Sequence, residues 1–275
     1  MICDWKALMG ILPVWLRNDA DKIGKDSLQE IRMRINMLPE LILNGEAYWL
    51  NRKVKTEDLL FCINMASRYS PWAAATISQG FITAPGGHRI GICGEAVCKD
   101  GIVKNIKNIR SICIRVARDF PGIANNIDIS AKSILILGAP GWGKTTLLRD
   151  LVRRIGDTEA VSAVDERGEI FPDTLTLGKR VDVLTGCTKK TGMEMVLRTM
   201  GPSRIAIDEI TAADDALAMI QAIGCGVGIL ATAHAYSISD MKRRPVYRKI
   251  WEEKIFDAIV ILHADRTYHE ERMNE

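Results

Sequence analysis

The sequence predicts an α/β protein in which a smaller α+β unit precedes a domain built on a mostly parallel sheet, and three observations carry that expectation. In the second half, short apolar runs alternate with helical patterns, the order of βαβ units. Between one such run, Ile134 to Leu137, and a helical pattern beginning at Thr146 lies a glycine-rich string ending in Lys144-Thr145. In the first half, a strand-like alternation, one helical pattern and several turn-rich stretches follow one another without βαβ order.

Composition sets the outer bounds. The chain has 275 residues, 47% of them hydrophobic and 26% charged, which excludes disordered and fibrous classes and gives room for two domains, expected at 1–126 and 127–275. A net charge of +3 argues against a polybasic partner surface. Seven cysteines, an odd number without C-x-x-C pairs or histidines at zinc spacing, predict reduced, buried thiols in a cytosolic protein.

Met1 to Arg17 contains the apolar stretch Ala7 to Leu16, but Asp4 and Lys6 precede it, Pro13 interrupts it and no small-residue cleavage site follows. It is not expected to be a signal peptide, and no uninterrupted apolar run is long enough to span a bilayer. Ser27 to Asn36 alternates Ile31, Met33 and Ile35 with Glu30, Arg32 and Arg34, the period of a half-buried strand. Asn44-Gly45 follows as a turn. Thr56 to Tyr69 carries Leu59, Leu60, Ile63 and Met65 near helical spacing, with Thr56 as the expected cap and Glu57 and Asp58 in the first turn. Strands are expected at Gly80 to Thr83, His88 to Cys93 and Ser111 to Val116, with a turn at Pro85-Gly86-Gly87. Beyond Asn126 the expected order is strand 133–137, helix from 144, strand 160–164, helix 193–199, strand 205–207, helix 214–223, and strands 228–232 and 259–262.

Gly138-Ala139-Pro140-Gly141-Trp142-Gly143-Lys144-Thr145, followed by Thr146, fits G-x-x-x-x-G-K-[ST] in the strand–loop–helix setting that gives the motif its meaning. Glycines let backbone N–H groups converge on phosphate oxygens, the helix N-terminus adds partial positive charge, Lys144 supplies a cation and Thr145 a hydroxyl for Mg²⁺. A nucleotide such as ATP with Mg²⁺ is therefore the expected ligand. Trp142 is not required by the motif. Arg204 to Ile207 is a short strand ending in Asp208 and Glu209; the first is expected on the metal side and the second to activate water. Glu166, after strand 160–164, and His234, after strand 228–232, occupy strand ends where ligands of open α/β sheets bind.

Residues 202–235, PSRIAIDEITAADDALAMIQAIGCGVGILATAHA, resemble the Walker B to His-box stretch of secretion ATPases, the hexameric motors of type II and type IV systems. The blocks LQEIRMRIN at 28–36, GFITAPGGHRIGICG at 80–94, SICIRVAR at 111–118, VDERGEI at 164–170 and RVDVLTG at 180–186 resemble, more narrowly, the stage III sporulation AA family within that group. The resemblance implies a RecA-like P-loop ATPase behind an N-terminal domain of the secretion-ATPase type. It further implies a homohexamer, cytoplasmic and held peripherally at the membrane by membrane proteins of the sporulation channel between mother cell and forespore. By position it implies nucleotide and Mg²⁺ binding by Lys144 and Thr145, water activation by Glu209, a place for Glu166 in the Asp box and for His234 in the His box, and arginines lent to the nucleotide by Arg89 and Arg115. Many secretion ATPases have glycine where this chain has Asp208, so the metal role of Asp208 rests on general phosphate-loop logic.

Two other classes stay open on sequence alone: a nucleic-acid-dependent ATPase or helicase, and a small-molecule kinase or switch NTPase. The nearest nucleic-acid signal is Met241 to Lys249, five basic residues with the single aromatic Tyr247, a pattern that also describes a solvated helix face; nucleic acid is not the expected partner.

Overall fold

A computed structural model describes residues 1–68, 77–78, 80–172 and 176–273. It divides into two compact units, Met1–Asp119 with Pro172, and Phe120–Phe171 with the chain from Thr176 onward, so the structural division falls upstream of the expected Asn126.

The first unit contains α1 (Trp5–Ile11), α2 (Val14–Ile23), β1 (Leu28–Arg34), β2 (Glu40–Leu43), β3 (Glu46–Trp49), α3 (Thr56–Ser67), β4 (Phe81–Thr83), β5 (Arg89–Lys99) and β6 (Ile102–Arg115). The strands form one antiparallel sheet in the order β3-β2-β1-β6-β5-β4. Period-2 alternation turns Ile31, Met33, Ile90 and Ile114 to a core shared with Leu8, Leu12, Leu16 and Leu59. The apolar N-terminal stretch is thus two packed helices, broken where Pro13 precedes α2. Asn44 and Gly45, at φ 52° and 93°, make the tight β2–β3 turn.

Three expectations are corrected here. Thr56 is the first helical residue rather than the cap, because the Asp58 carboxylate accepts the Lys55 N–H at 2.8 Å and moves the start back to Lys55. Helix α3 ends at Ser67, with Arg68 left-handed behind it at φ 50°; Tyr69 lies outside the described residues. The cysteines are free thiols, yet only Cys62 is buried, its thiol pushed up to about 12 by burial, while Cys93, Cys98 and Cys225 are exposed. Cys98 is exposed because β5 and β6 run past the sheet as a ribbon over residues 94–110, solvated on most positions, and Cys93 sits opposite Ser111 where that ribbon begins. Such a ribbon has no buried face and so leaves no alternation to read.

The second unit contains β7 (Ile134–Leu137), α4 (Lys144–Ile155), β8 (Val161–Asp165), β9 (Val181–Thr185), α5 (Lys189–Thr199), β10 (Arg204–Ile207), α6 (Ala213–Gly224), β11 (Gly228–Ala233), α7 (Ile238–Arg243), α8 (Arg248–Glu252), β12 (Ala258–Leu262) and β13 (Tyr268–Arg272). Its sheet has the order β13-β12-β7-β11-β10-β8-β9, parallel except for β13. Strands β7, β8, β10, β11 and β12 are buried throughout, as expected of strands covered on both faces. The register pairs Leu137 with Ala233, Ala231 with Ile207, and Ile207 with Val164. The carboxyl ends of β7, β11, β10 and β8 therefore lie side by side, and whatever follows each strand meets its neighbours there.

Candidate active site

The loop after β7 is built for close approach of an anion. Gly141 and Gly143 have φ 78° and 102°, and a Cβ on either would meet nothing within 4 Å, so their requirement is conformational and the space beside them is open. Gly143 caps α4, whose first-turn N–H groups have no partner within the helix and point into the loop. Lys144 is 6% exposed, and burial lowers its pKa against the opposing pull of Glu209 and Asp208. Its ammonium donates to the Ala139 carbonyl at 3.1 Å and lies 2.8 Å from His234 Nδ1. Trp142 meets Tyr236 edge to face, with ring centroids 5.8 Å apart.

The loops after β10 and β11 close on this one. The Thr145 hydroxyl donates to the Asp208 carboxylate at 3.2 Å, and the Thr232 hydroxyl donates to the same Oδ1 at 3.1 Å. His234 Nε2 lies 2.8 Å from Glu209 Oε2, and the His234 backbone N–H donates to the Tyr247 hydroxyl at 3.2 Å. The loop after β8 is held from below. Asp165 is 1% exposed; its carboxylate accepts the N–H groups of Glu169, Ile170 and Phe171 at 2.8–2.9 Å, and burial nevertheless raises its pKa. Arg149 of α4 grips the same loop through the carbonyls of Ile170 and Glu169. Glu166, Asp208 and Glu209 line one cavity with Lys189, whose ammonium is 2.9 Å from Glu166 Oε2.

The donor set suits a magnesium nucleotide. Among the described residues no group of three or more His, Cys, Asp or Glu side chains can hold a metal ion. The Thr145 hydroxyl and Asp208 carboxylate supply hard oxygens to one point beside the phosphate loop; Mg²⁺ is commonly bound by such a small protein contribution together with phosphate and water oxygens.

Of the residues expected from sequence, Lys144, Thr145, Asp208, Glu209 and His234 come together at adjacent strand ends, and Glu166 joins Asp208 and Glu209 across the cavity. Arg89 and Arg115 belong to the first unit, directly opposite each other on β5 and β6. The Arg89 guanidinium lies 4.1 Å over the Phe81 ring, and Arg115 Nε is 3.5 Å from Glu30. Sequence reasoning missed Lys189 and Tyr247. Tyr247 sits in a run of mostly exposed basic residues that reads as a solvated face, and Lys189 is one of two adjacent lysines, with nothing in the string to mark which turns inward. Among the described residues, no helix is long and apolar enough to cross a membrane.

Comparison with known proteins is consistent along the chain. Residues 7–271 match the family described as sporulation stage III, protein AA. Stage III sporulation protein AA of Bacillus subtilis (strain 168) is 35% identical over 273 residues, covering 92% of this chain and 89% of that protein. Among solved structures, the pilus retraction motor PilT with bound ADP superimposes with a TM-score of 0.66 at 13% identity, covering 94% of this chain and 82% of that one. The Legionella pneumophila ATPase DotB superimposes at 0.58 and 16% identity, covering 95% and 80%. The fold is thus the RecA-like α/β fold of the secretion ATPases with a smaller α+β unit before it, and by sequence the chain belongs to the sporulation stage III protein AA family.

Proposed function

We propose that this chain hydrolyses ATP and works as a homohexameric motor of a sporulation-specific, secretion-like channel between mother cell and forespore, cytoplasmic and attached to the membrane through that channel's membrane proteins. The observation that carries the hydrolytic part is the convergence of Lys144, Thr145, Asp208, Glu209 and His234 at neighbouring strand ends. Family membership supports the sporulation setting, and the likeness to motor and secretion ATPases supports the mechanical one. In this reading the second unit is the motor domain and the first supplies arginines to the nucleotide.

The chemistry follows from what each group offers. Backbone N–H groups of residues 141–146 and the Lys144 ammonium bind the phosphates, exchanging Lys144's hold on His234 and Ala139 for phosphate oxygens. The Thr145 hydroxyl and the Asp208 carboxylate would hold Mg²⁺, which would supply neutralisation of charge on the phosphate oxygens. Glu209 takes the proton of the attacking water as oxygen bonds to the γ-phosphorus and the bond to the β–γ bridging oxygen breaks. His234 holds the Glu209 carboxylate in place, and Glu166 lies in the same cavity.

The nucleic-acid reading is less well supplied. Tyr247, the aromatic of the basic run, is 3% exposed and donates no face for base stacking. The test is ATP turnover against protein concentration, read with oligomer mass and with or without single-stranded DNA. Turnover that rises as a ring forms, and further with a membrane-anchored partner of the channel, is the expected result. Full turnover in a monomer overturns the motor reading, and stimulation by DNA transfers it to the nucleic-acid class.

A further inference from the structure

The cavity lined by Glu166, Asp208 and Glu209 gathers carboxylates from two strand ends, with Asp165, the last residue of β8, and Glu169 of the following loop also in its lining. Like charges so close repel unless a cation stands among them. Two cations line the cavity, Arg167 and Lys189; Arg167 is exposed, and the buried one, paired with Glu166, is Lys189. It is the first residue of α5, behind the Thr188 cap, and only 8% exposed. Desolvating an ammonium is costly, and a helix start needs no lysine. The side chain turns inward, placing Nζ 2.9 Å from Glu166 Oε2 and 3.9 Å from Asp215 Oδ2. Its sequence neighbour Lys190 takes the ordinary course, pairing with exposed Asp214 at the surface.

Asp215 carries the link further. Its Oδ2 accepts the N–H groups of Thr211 and Ala212 at 3.0 and 3.1 Å. These residues belong to the loop that leaves Glu209. One ammonium therefore connects the Glu166 side chain, at the end of β8, with the backbone that positions Glu209, at the end of β10.

We propose that Lys189 is a positioning residue for hydrolysis: it holds the Glu166 carboxylate in the cavity beside Glu209 and, through Asp215, fixes the loop on which Glu209 is mounted. The proposal rests on the hydrolytic reading above. Lys189 does not touch the phosphate loop in this arrangement, so its removal disturbs the chemical step while leaving ground-state nucleotide binding to Lys144 and the loop amides.

The experiment measures kcat and KM for ATP on the full chain in wild type, Lys189→Gln, Lys189→Arg, Glu166→Gln and the Lys189→Gln/Glu166→Gln pair, with a fluorescent ATP analogue reporting binding. Misplacement of a reacting group by about 1 Å costs on the order of a hundred-fold in rate. Lys189→Gln is therefore expected to lower kcat by roughly ten- to a hundred-fold while KM stays within about three-fold, the pattern of an interaction that matters in the transition state. Lys189→Arg, which keeps the charge, recovers most of kcat. The double variant is much less impaired than the product of the two single losses, because both remove one interaction. Wild-type kcat in Lys189→Gln, or losses that multiply in the double variant, overturns the proposal. Should Lys189→Gln fail to fold, Glu166→Gln decides: full turnover without that carboxylate leaves Lys189 nothing to position. Wild-type protein lacking any Lys144-dependent turnover overturns the hydrolytic reading itself, and this one with it.

Discussion

Lys144 Nζ lies 2.8 Å from His234 Nδ1, and Nε2 of the same ring lies 2.8 Å from Glu209 Oε2. One imidazole thus joins the phosphate-loop cation to the strand-end carboxylate. The two contacts assign opposite roles to the ring nitrogens: Nδ1 accepts from the ammonium, and Nε2–H donates to Glu209. In the proposed reading, phosphate bound at Lys144 would take away the partner of Nδ1 and leave the bond to Glu209.

His234→Ala removes that connection and leaves Glu209 without its donor. Turnover is expected to fall by about ten-fold or more, with ATP affinity changed far less, because Lys144 keeps its charge and place. Steady-state kinetics beside equilibrium nucleotide binding checks this; unchanged kcat would remove His234 from the site.

Lys144→Ala and Glu209→Gln are expected to separate binding from chemistry. The first deletes the buried cation that pairs with phosphate and abolishes nucleotide binding. The second keeps the cation and the loop but loses the group that accepts the water proton, a loss of ~10²–10⁴ in rate. Glu209→Gln should therefore trap ATP, measurable as bound, unhydrolysed nucleotide after gel filtration. Equal loss of affinity in both variants would contradict the division of labour.

Much of this site was legible because it is local in sequence: a strand, a phosphate loop and a helix in one stretch, and polar residues placed directly after apolar runs. Asp208 and His234 stand out as the first polar groups where β10 and β11 end. Lys189 and Tyr247 were not legible, because tertiary packing buries Lys189 while exposing its neighbour Lys190, and buries Tyr247 among basic residues that stay at the surface. The first unit divides the same way. Strand β1 announces itself through its buried alternate residues, whereas the β5–β6 ribbon and the exposed strand β3 bury too little to leave a pattern. Edge strand β9, with only Val181 buried, escaped for the same reason.

Arg89 and Arg115, opposite each other on β5 and β6, put two guanidinium groups on one face of the first-unit sheet. If either reaches the γ-phosphate during turnover, its replacement by alanine costs ~10³–10⁵ in kcat. We expect at least one of Arg89→Ala and Arg115→Ala to show that loss with nucleotide binding retained. Circular dichroism of the variants separates this from damage to the sheet. Turnover within about two-fold of wild type in both assigns them to their Phe81 and Glu30 contacts instead.

His88 makes stability of the first unit depend on pH. The ring is 0% exposed, Nδ1 accepts the Ala117 N–H at 3.0 Å, and Nε2 lies 3.0 Å from the Asp4 carbonyl, so the neutral imidazole satisfies both. Gly86, at φ 79°, makes room for it, since a Cβ there would lie 2.8 Å from Nε2. Burial is the main cause of a lowered His88 pKa, only partly opposed by the bond to Asp4. The unfolded chain therefore takes up a proton near the ordinary value of about 6.5, while the folded chain does so only at lower pH. Across that window the unfolded state binds more protons, so stability falls as pH falls, by about 1.4 kcal/mol for each unit separating the two values. Urea unfolding at about pH 7.5 and 5.5, either side of the unfolded-state titration, should show a larger loss of midpoint in wild type than in His88→Gln, which keeps one donor and one acceptor and does not titrate. Equal losses in the two proteins would mean that other groups, and not the buried imidazole, carry the acid sensitivity.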